Sequence, residues 1–312
     1  MMKRIALAAC TGLLFLGLTG CGEKDADTSR PAPAAAIERQ SSDPGKVIEA
    51  IAGKLREDRL LEAVQLLVPP ASLDELRAQW LARMKDEPLG DLQPAEYAEQ
   101  MARFTAADAE TALYAELEPW LVKYETEMAA QMPMMVGMGQ GFLIQSINAD
   151  PELDEARKKQ NVEVVGAIGS WLQGLDLADR ELARKGIAVA VKAARQLDLP
   201  TIDAVRALDF DQTVGKAGIA LGAVKDILAL YGLDLNQTLT SVKANVASRD
   251  AGRARVVVTA ALLGKSLSGE ADMVEVDGRW YGKDTIEQLV QELASNRGSD
   301  VGPAVEAEID AR

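Results

Sequence analysis

The chain has 312 residues, with 34 basic and 48 acidic side chains, a formal net charge of −14 and no histidine. The missing imidazole excludes Ser-His-Asp and Cys-His nucleophile systems, histidine general-base catalysis and histidine-built zinc sites. The acidic balance, without any basic block, argues against a nucleic-acid partner and describes a self-repelling surface.

Lys3 and Arg4 precede an apolar run from Ile5 to Leu18, which ends in Leu18-Thr19-Gly20-Cys21. A cationic start, an apolar stretch of about 14 residues and small residues at a cut are the parts of a secretory signal. The run is shorter than the roughly 20 residues of a membrane span. Its ending resembles the lipobox of bacterial lipoproteins. That resemblance implies a signal peptide over residues 1–20, cleavage before Cys21 and acylation of Cys21, with the protein held on a membrane by lipid. Gly22 after the cysteine resembles the outer-membrane sorting pattern of enteric lipoproteins, so the expected location is the outer membrane, facing the periplasm, with the inner membrane or the cell surface as alternatives. Cys10 leaves with the signal, and no cysteine pair remains for a disulfide.

Residues 21–42 are rich in Ala, Pro, Ser and charge, and read as a disordered tether with a span of roughly 25 Å. Asp43-Pro44 opens a helix as cap and first helical residue. A helical body is expected over 43–235. Val47, Ile48, Ile51 and Leu55 form one stripe; Leu60, Leu61, Val64, Leu67 and Val68 form a second, ended by Pro69-Pro70. Ser72 to Glu75 resembles a capping box that starts the next helix. Residues 94–131 give one or two helices, with a break or kink at Pro119, and Asp150-Pro151-Glu152 opens another. Residues 162–175 and 214–231 carry Gly166, Gly169, Gly215, Gly218 and Gly222. Glycine costs about 1 kcal/mol against alanine inside a helix, so its recurrence predicts close helix–helix approach. Residues 179–197 form an ordinary amphipathic helix. Trp80, Trp120 and Trp171 sit in apolar helical stripes and read as core.

The periodicity then changes. Val242, Ala244 and Val246 alternate with polar residues as a half-buried strand, and Arg255–Leu263 forms a second. Ser266–Gly269 reads as a turn into Ala271–Val276. Asp277-Gly278 is a strong hairpin signal, with Arg279-Trp280-Tyr281 returning. Residues 236–297 therefore hold an antiparallel sheet and a last helix at 284–294, and 298–312 an acidic, loose tail. The fold class is α+β: a mainly helical body, then a C-terminal antiparallel meander and one helix. The run Val274 to Tyr281, together with the helix pair from Pro44 to Leu67, resembles the cone-shaped α+β domains of the nuclear-transport-factor-2 type found in many bacterial lipoproteins. That resemblance implies a curved sheet with a pocket, and it carries over no catalytic residue.

The most unusual segment is 128–149, which lacks any charge and holds Met128, Met132, Met134, Met135 and Met138. Clustered thioethers can bind copper(I), as at Met135 and Met138. Gly137 and Gly141 form the small-residue pair of packed membrane helices. Shallow membrane insertion or an apolar pocket are further options, whereas methionine as filler of irregular gaps predicts burial in the helical body, the favoured reading. Asp198, Asp203, Asp209 and Asp211 lack the close ligand spacing of a calcium loop and read as helix-end residues. The candidate ligand-binding residues are Met132, Met135, Met138, Phe142, Leu143, Trp280 and Tyr281, the last two at a pocket mouth or over the end of the core. No cofactor or metal is expected. The leading reading is a non-enzymatic binding or accessory module for another envelope component. The alternatives are a periplasmic carrier of an apolar or lipid-like ligand and, third, a histidine-free enzyme.

Overall fold

A computed structural model describes residues 42–86, 93–151 and 153–296. The signal peptide, Cys21, the tether up to Ser41 and the acidic tail lie outside these residues. The chain is α+β, a mainly helical body followed by a four-stranded antiparallel sheet and a terminal helix.

The first helix, α1 (Pro44–Arg56), starts where the Asp43 carboxylate accepts from the Gly45 and Lys46 N–H groups, with Pro44 at its first position. Helices α2 (Leu60–Leu67) and α3 (Pro70–Asp86) follow. The α3 helix begins at Pro70, earlier than the expected start at Ser72, because proline lacks the N–H that a first turn leaves unpaired. The α4 helix (Pro94–Thr105) precedes α5 (Ala109–Lys123), which keeps Pro119 in its interior. A π-helical turn at Tyr124–Met128 and a 3-10 turn at Ala129–Gln131 lead into α6 (Met132–Ala149). The next helix, α7 (Glu155–Gln173), is capped by Asp154, which accepts from the Arg157 N–H, and not by Asp150. Then come α8 (Arg180–Leu197), α9 (Ile202–Arg206), α10 (Phe210–Leu230) and α11 (Leu235–Thr240).

The strands are β1 (Lys243–Asp250), β2 (Arg253–Leu262), β3 (Lys265–Val276) and β4 (Arg279–Gly282), paired in sequence order, and α12 (Lys283–Asn296) closes the described chain. Two hairpins turn on a residue pair with positive φ, Leu263-Gly264 and Asp277-Gly278, as tight hairpins require. The stretch expected as a turn at 266–269 is instead strand, because Leu263-Gly264 makes the reversal three residues earlier.

Among the described residues, buried apolar side chains gather in three places. Val47 of α1 packs with Val256, Met273 and Trp280 on the sheet. Val68, Leu73, Phe210, Leu289 and Leu293 join α3, α10 and α12, where Trp80 meets Phe210 edge-on. Tyr114, Leu121 and Ala183 join α5 to α8. The glycine expectation divides. A Cβ on Gly218 would collide with the Asp58 carbonyl oxygen, and one on Gly222 would lie 2.7 Å from the Asp58 carboxylate. Gly166 and Gly215 face open space. Beside Asp58 the Lys225 side chain, 2% exposed, donates to the carbonyls of Leu55 (2.7 Å) and Arg56 (2.9 Å) and pairs with the Asp58 carboxylate at 2.6 Å.

Glu49 ties α1 to β1, its carboxylate accepting from the Ala244 N–H at 3.2 Å. The hydrogen bond from Lys46, and after it the one from Ala244, hold the Glu49 carboxyl below its ordinary 4.5 against the desolvation that raises it. A carboxyl lowered on folding stabilises above its unfolded pKa and loses that contribution as the pH falls through the folded value. Glu49→Gln should therefore flatten the acid limb of the stability–pH curve measured by urea unfolding. Gly218→Ala should lose about 1–3 kcal/mol from backbone collision, whereas Gly215→Ala should gain up to about 1 kcal/mol, in the same assay.

Candidate functional site

Helix α6 is the feature that composition singled out. From Met128 to Ala149 the chain carries no charged side chain. Met132, Val136, Gln140, Ile144 and Ile147 recur at helical spacing and are half-buried. Along this row the Gln140 amide donates to the Val165 carbonyl of α7 at 3.2 Å and accepts from the Gln173 amide at 3.3 Å. Its side chain fills the place of a Cβ at Gly169. Gly169 therefore does what the sequence predicts of it, a close crossing of two helices. The neighbour it admits is a glutamine.

The α7 helix in turn docks on the body through polar contacts. The Gln160 amide donates to the Ser268 carbonyl and accepts from the Ser268 N–H, both at 2.8 Å, and the Trp171 indole donates to the Tyr231 carbonyl at 2.7 Å. Arg180 pairs with Glu125 at 3.1 Å near the base of the hairpin. Helix α6 thus packs on α7, and α7 packs on the body, leaving the far side of α6 open.

That far side carries Met134, Met135, Met138 and Phe142 beside the exposed Gln145, while Leu143 lies at the edge toward α7. Met134, Met135, Met138, Phe142 and Leu143 are 62%, 52%, 63%, 72% and 51% exposed, and no residue of α6 is fully buried. The favoured expectation of burial in the helical body is corrected here. Methionine can fill a core gap, but a helix that meets one neighbour along one row has no second wall to close over its other face. Gly137, Gly139 and Gly141 face open space. Between α6 and α7 runs a groove of about 200 Å³ lined by Val136, Gly139, Leu143, Val165, Ile168 and Leu172 among others.

Of the candidate binding residues, Met135, Met138, Phe142 and Leu143 lie exposed on this one helix, with Met132 half-buried at its start. Trp280 and Tyr281 do not join them. They are 1% and 2% exposed, Trp280 in the core beneath α1 with its indole donating to the Ser42 carbonyl. Burial pushes the Tyr281 phenol pKa up. The reading of these two residues as covering the end of the core is the one that fits their burial, and a pocket mouth does not. Trp120 is also corrected: at 49% exposure it stacks on Tyr124 instead of entering the core. Sequence reasoning missed Gln140 and Val165, which join α6 to α7, and Gln160, which docks α7 on β3; the residue-by-residue polarity of the two helices gives no sign of them.

The acidic set is used at helix ends. Asp198 ends α8, Asp203 lies in the first turn of α9, Asp209 caps α10, and Asp211 holds Arg77 through both carboxylate oxygens at 2.8 and 2.9 Å. Among the described residues, no cluster of His, Cys, Asp or Glu is placed to hold a metal ion, and no helix is long and apolar enough to cross a membrane. Comparison with known proteins finds no matching family model, no matching curated protein and no matching solved structure.

Because Gln140 occupies the space over Gly169, Gly169→Val should expel it and loosen α6 before the body. Hydrogen exchange should report α6 amides exchanging about tenfold faster, the equivalent of roughly 1.4 kcal/mol, with the amides of β2 and α10 unchanged.

Proposed function

We propose that the chain is a lipid-anchored envelope protein that works as a non-enzymatic binding or accessory module, with the open face of α6 as its working surface. The observation that carries this reading is the set of five large apolar side chains, each more than half exposed, on a helix without one charge. Monomeric soluble proteins expose contiguous apolar patches of about 300–600 Å² at most, and the larger ones are commonly functional. Met134, Met135 and Met138 suit such a role because the unbranched thioether adapts to the surface it meets.

The lipid anchor rests on the Leu18-Thr19-Gly20-Cys21 ending. Acylation at Cys21 would hold the body near the periplasmic face of the outer membrane, with residues 22–41 as its leash. The groove between α6 and α7 supports a second reading, a carrier of an apolar or lipid-like ligand, since its walls are aliphatic.

Cys21→Ala should shift the protein from membrane to soluble fractions on cell fractionation; retention on the membrane would remove the anchor from the proposal. Met135→Asp should leave the unfolding midpoint within about 1 °C, since surface substitutions change stability by less than about 0.5 kcal/mol, while a binding face would lose its cellular cross-links. A large drop in the midpoint would make Met135 a packing residue. Native mass spectrometry of the Cys21→Ala protein purified without detergent should give only whole multiples of the chain mass; a smaller added mass would favour the carrier.

A further inference from the structure

The open face of α6 carries both a projection and a recess. Phe142 is the projection, the most exposed large apolar side chain among the described residues at 72%. The recess is the groove of about 200 Å³ beside it, opened by the missing side chain of Gly139 between Val136 and Leu143 and walled on the other side by Val165 and Ile168 of α7. A projection and a recess on the same patch of one chain allow a self-complementary, isologous contact about a two-fold axis.

We infer that the occupant of this face is α6 of a second copy of the chain, the two α6–α7 hairpins closing into a four-helix bundle with Phe142 of each copy seated in the groove of the other. This inference rests on the reading of α6 as an interaction surface. Three observations favour a second copy. The chain carries a net charge of −14, so two copies repel over most of their surface, and residues 128–149 are a strip without carboxylates between Glu127 and Asp150. A symmetric contact would cover five large apolar side chains, each more than half exposed, on both copies. Gly137, Gly139 and Gly141 have open space where a Cβ would stand, so a facing helix can approach the backbone. A bilayer is the poorer match. Helices that lie in anionic interfaces carry Lys and Arg beside their apolar face, and no basic residue occurs between Lys123 and Arg157.

The test uses the full chain in cells, with a photo-reactive phenylalanine analogue at position 142. The expected product is an adduct of twice the chain's mass containing this chain alone, with the cross-linked peptide inside residues 132–173. Sedimentation of the full chain in mild detergent should give a dimer. Phe142→Ala, which removes the projection, and Gly139→Leu, which fills the recess, should each weaken dimerisation at least tenfold while the circular dichroism spectrum stays unchanged. Loss with only one of the two variants overturns the seating of Phe142 in the groove. Adducts with a different protein, or with lipid, overturn the second copy but leave the binding face standing. A monomer at every concentration with no adduct overturns both.

Discussion

The contact on which the body depends is the one at the end of α1, where the Lys225 ammonium holds the Leu55 and Arg56 carbonyls and the Asp58 carboxylate. The last carbonyls of a helix carry partial negative charge and find no partner within it. A buried lysine is costly unless its charge is met by hydrogen-bonding partners, so each side satisfies what the other lacks. The chain then turns at Asp58 with φ of 60°. That left-handed residue lies against α10 only because Gly218 and Gly222 leave room for its carbonyl and carboxylate. Positions far apart in sequence thereby form one joint. With its C-terminal end fixed on α10 and Val47 set against Val256 and Trp280, α1 links the helical body to the sheet.

Much of this architecture is written locally. Asp43-Pro44, Asp179 and Asp209 carry their caps in the residue type, and Asp277-Gly278 names its own turn. Leu263-Gly264 does not, because leucine is an unusual residue at positive φ, and the strand register around it compels the conformation. The glycine pattern shows the limit. Gly169, Gly218 and Gly222 are needed for close contacts whereas Gly166 and Gly215 are not, and nothing in the spacing separates them, since the difference lies in what arrives from elsewhere in the chain. The same holds for 128–149. Its apolar character is plain in the sequence, but whether an apolar helix has one wall or two depends on the long-range packing of its neighbours.

The outer layer differs from the body in how it is held. Body helices meet through interlocked aliphatic and aromatic side chains, while α7 reaches the sheet and the α10–α11 turn through side-chain amide and indole contacts to backbone groups. Such bonds contribute about 1 kcal/mol each, so this layer has a smaller share of the buried apolar surface that sets global stability.

Gln160 and Glu49, which reach the two margins of the sheet, have a further consequence. Strand β4 pairs with β3 only over Met273–Val276, so among the described residues the backbone of β3 before it has no strand on that side. Gln160 sits on this stretch and makes with Ser268 the donor–acceptor pair of a peptide group. On the opposite margin, β1 slips register between Val246 and Ser248, and Glu49 takes up the Ala244 N–H where α1 crosses it. An uncovered strand margin is a template for adding a foreign strand, and bulges and polar occupants are how folded chains refuse it. The helices that carry these two residues act as stoppers against edge-to-edge aggregation. Because α7 is one of them, the element that presents the apolar face of α6 also guards the sheet it rests on.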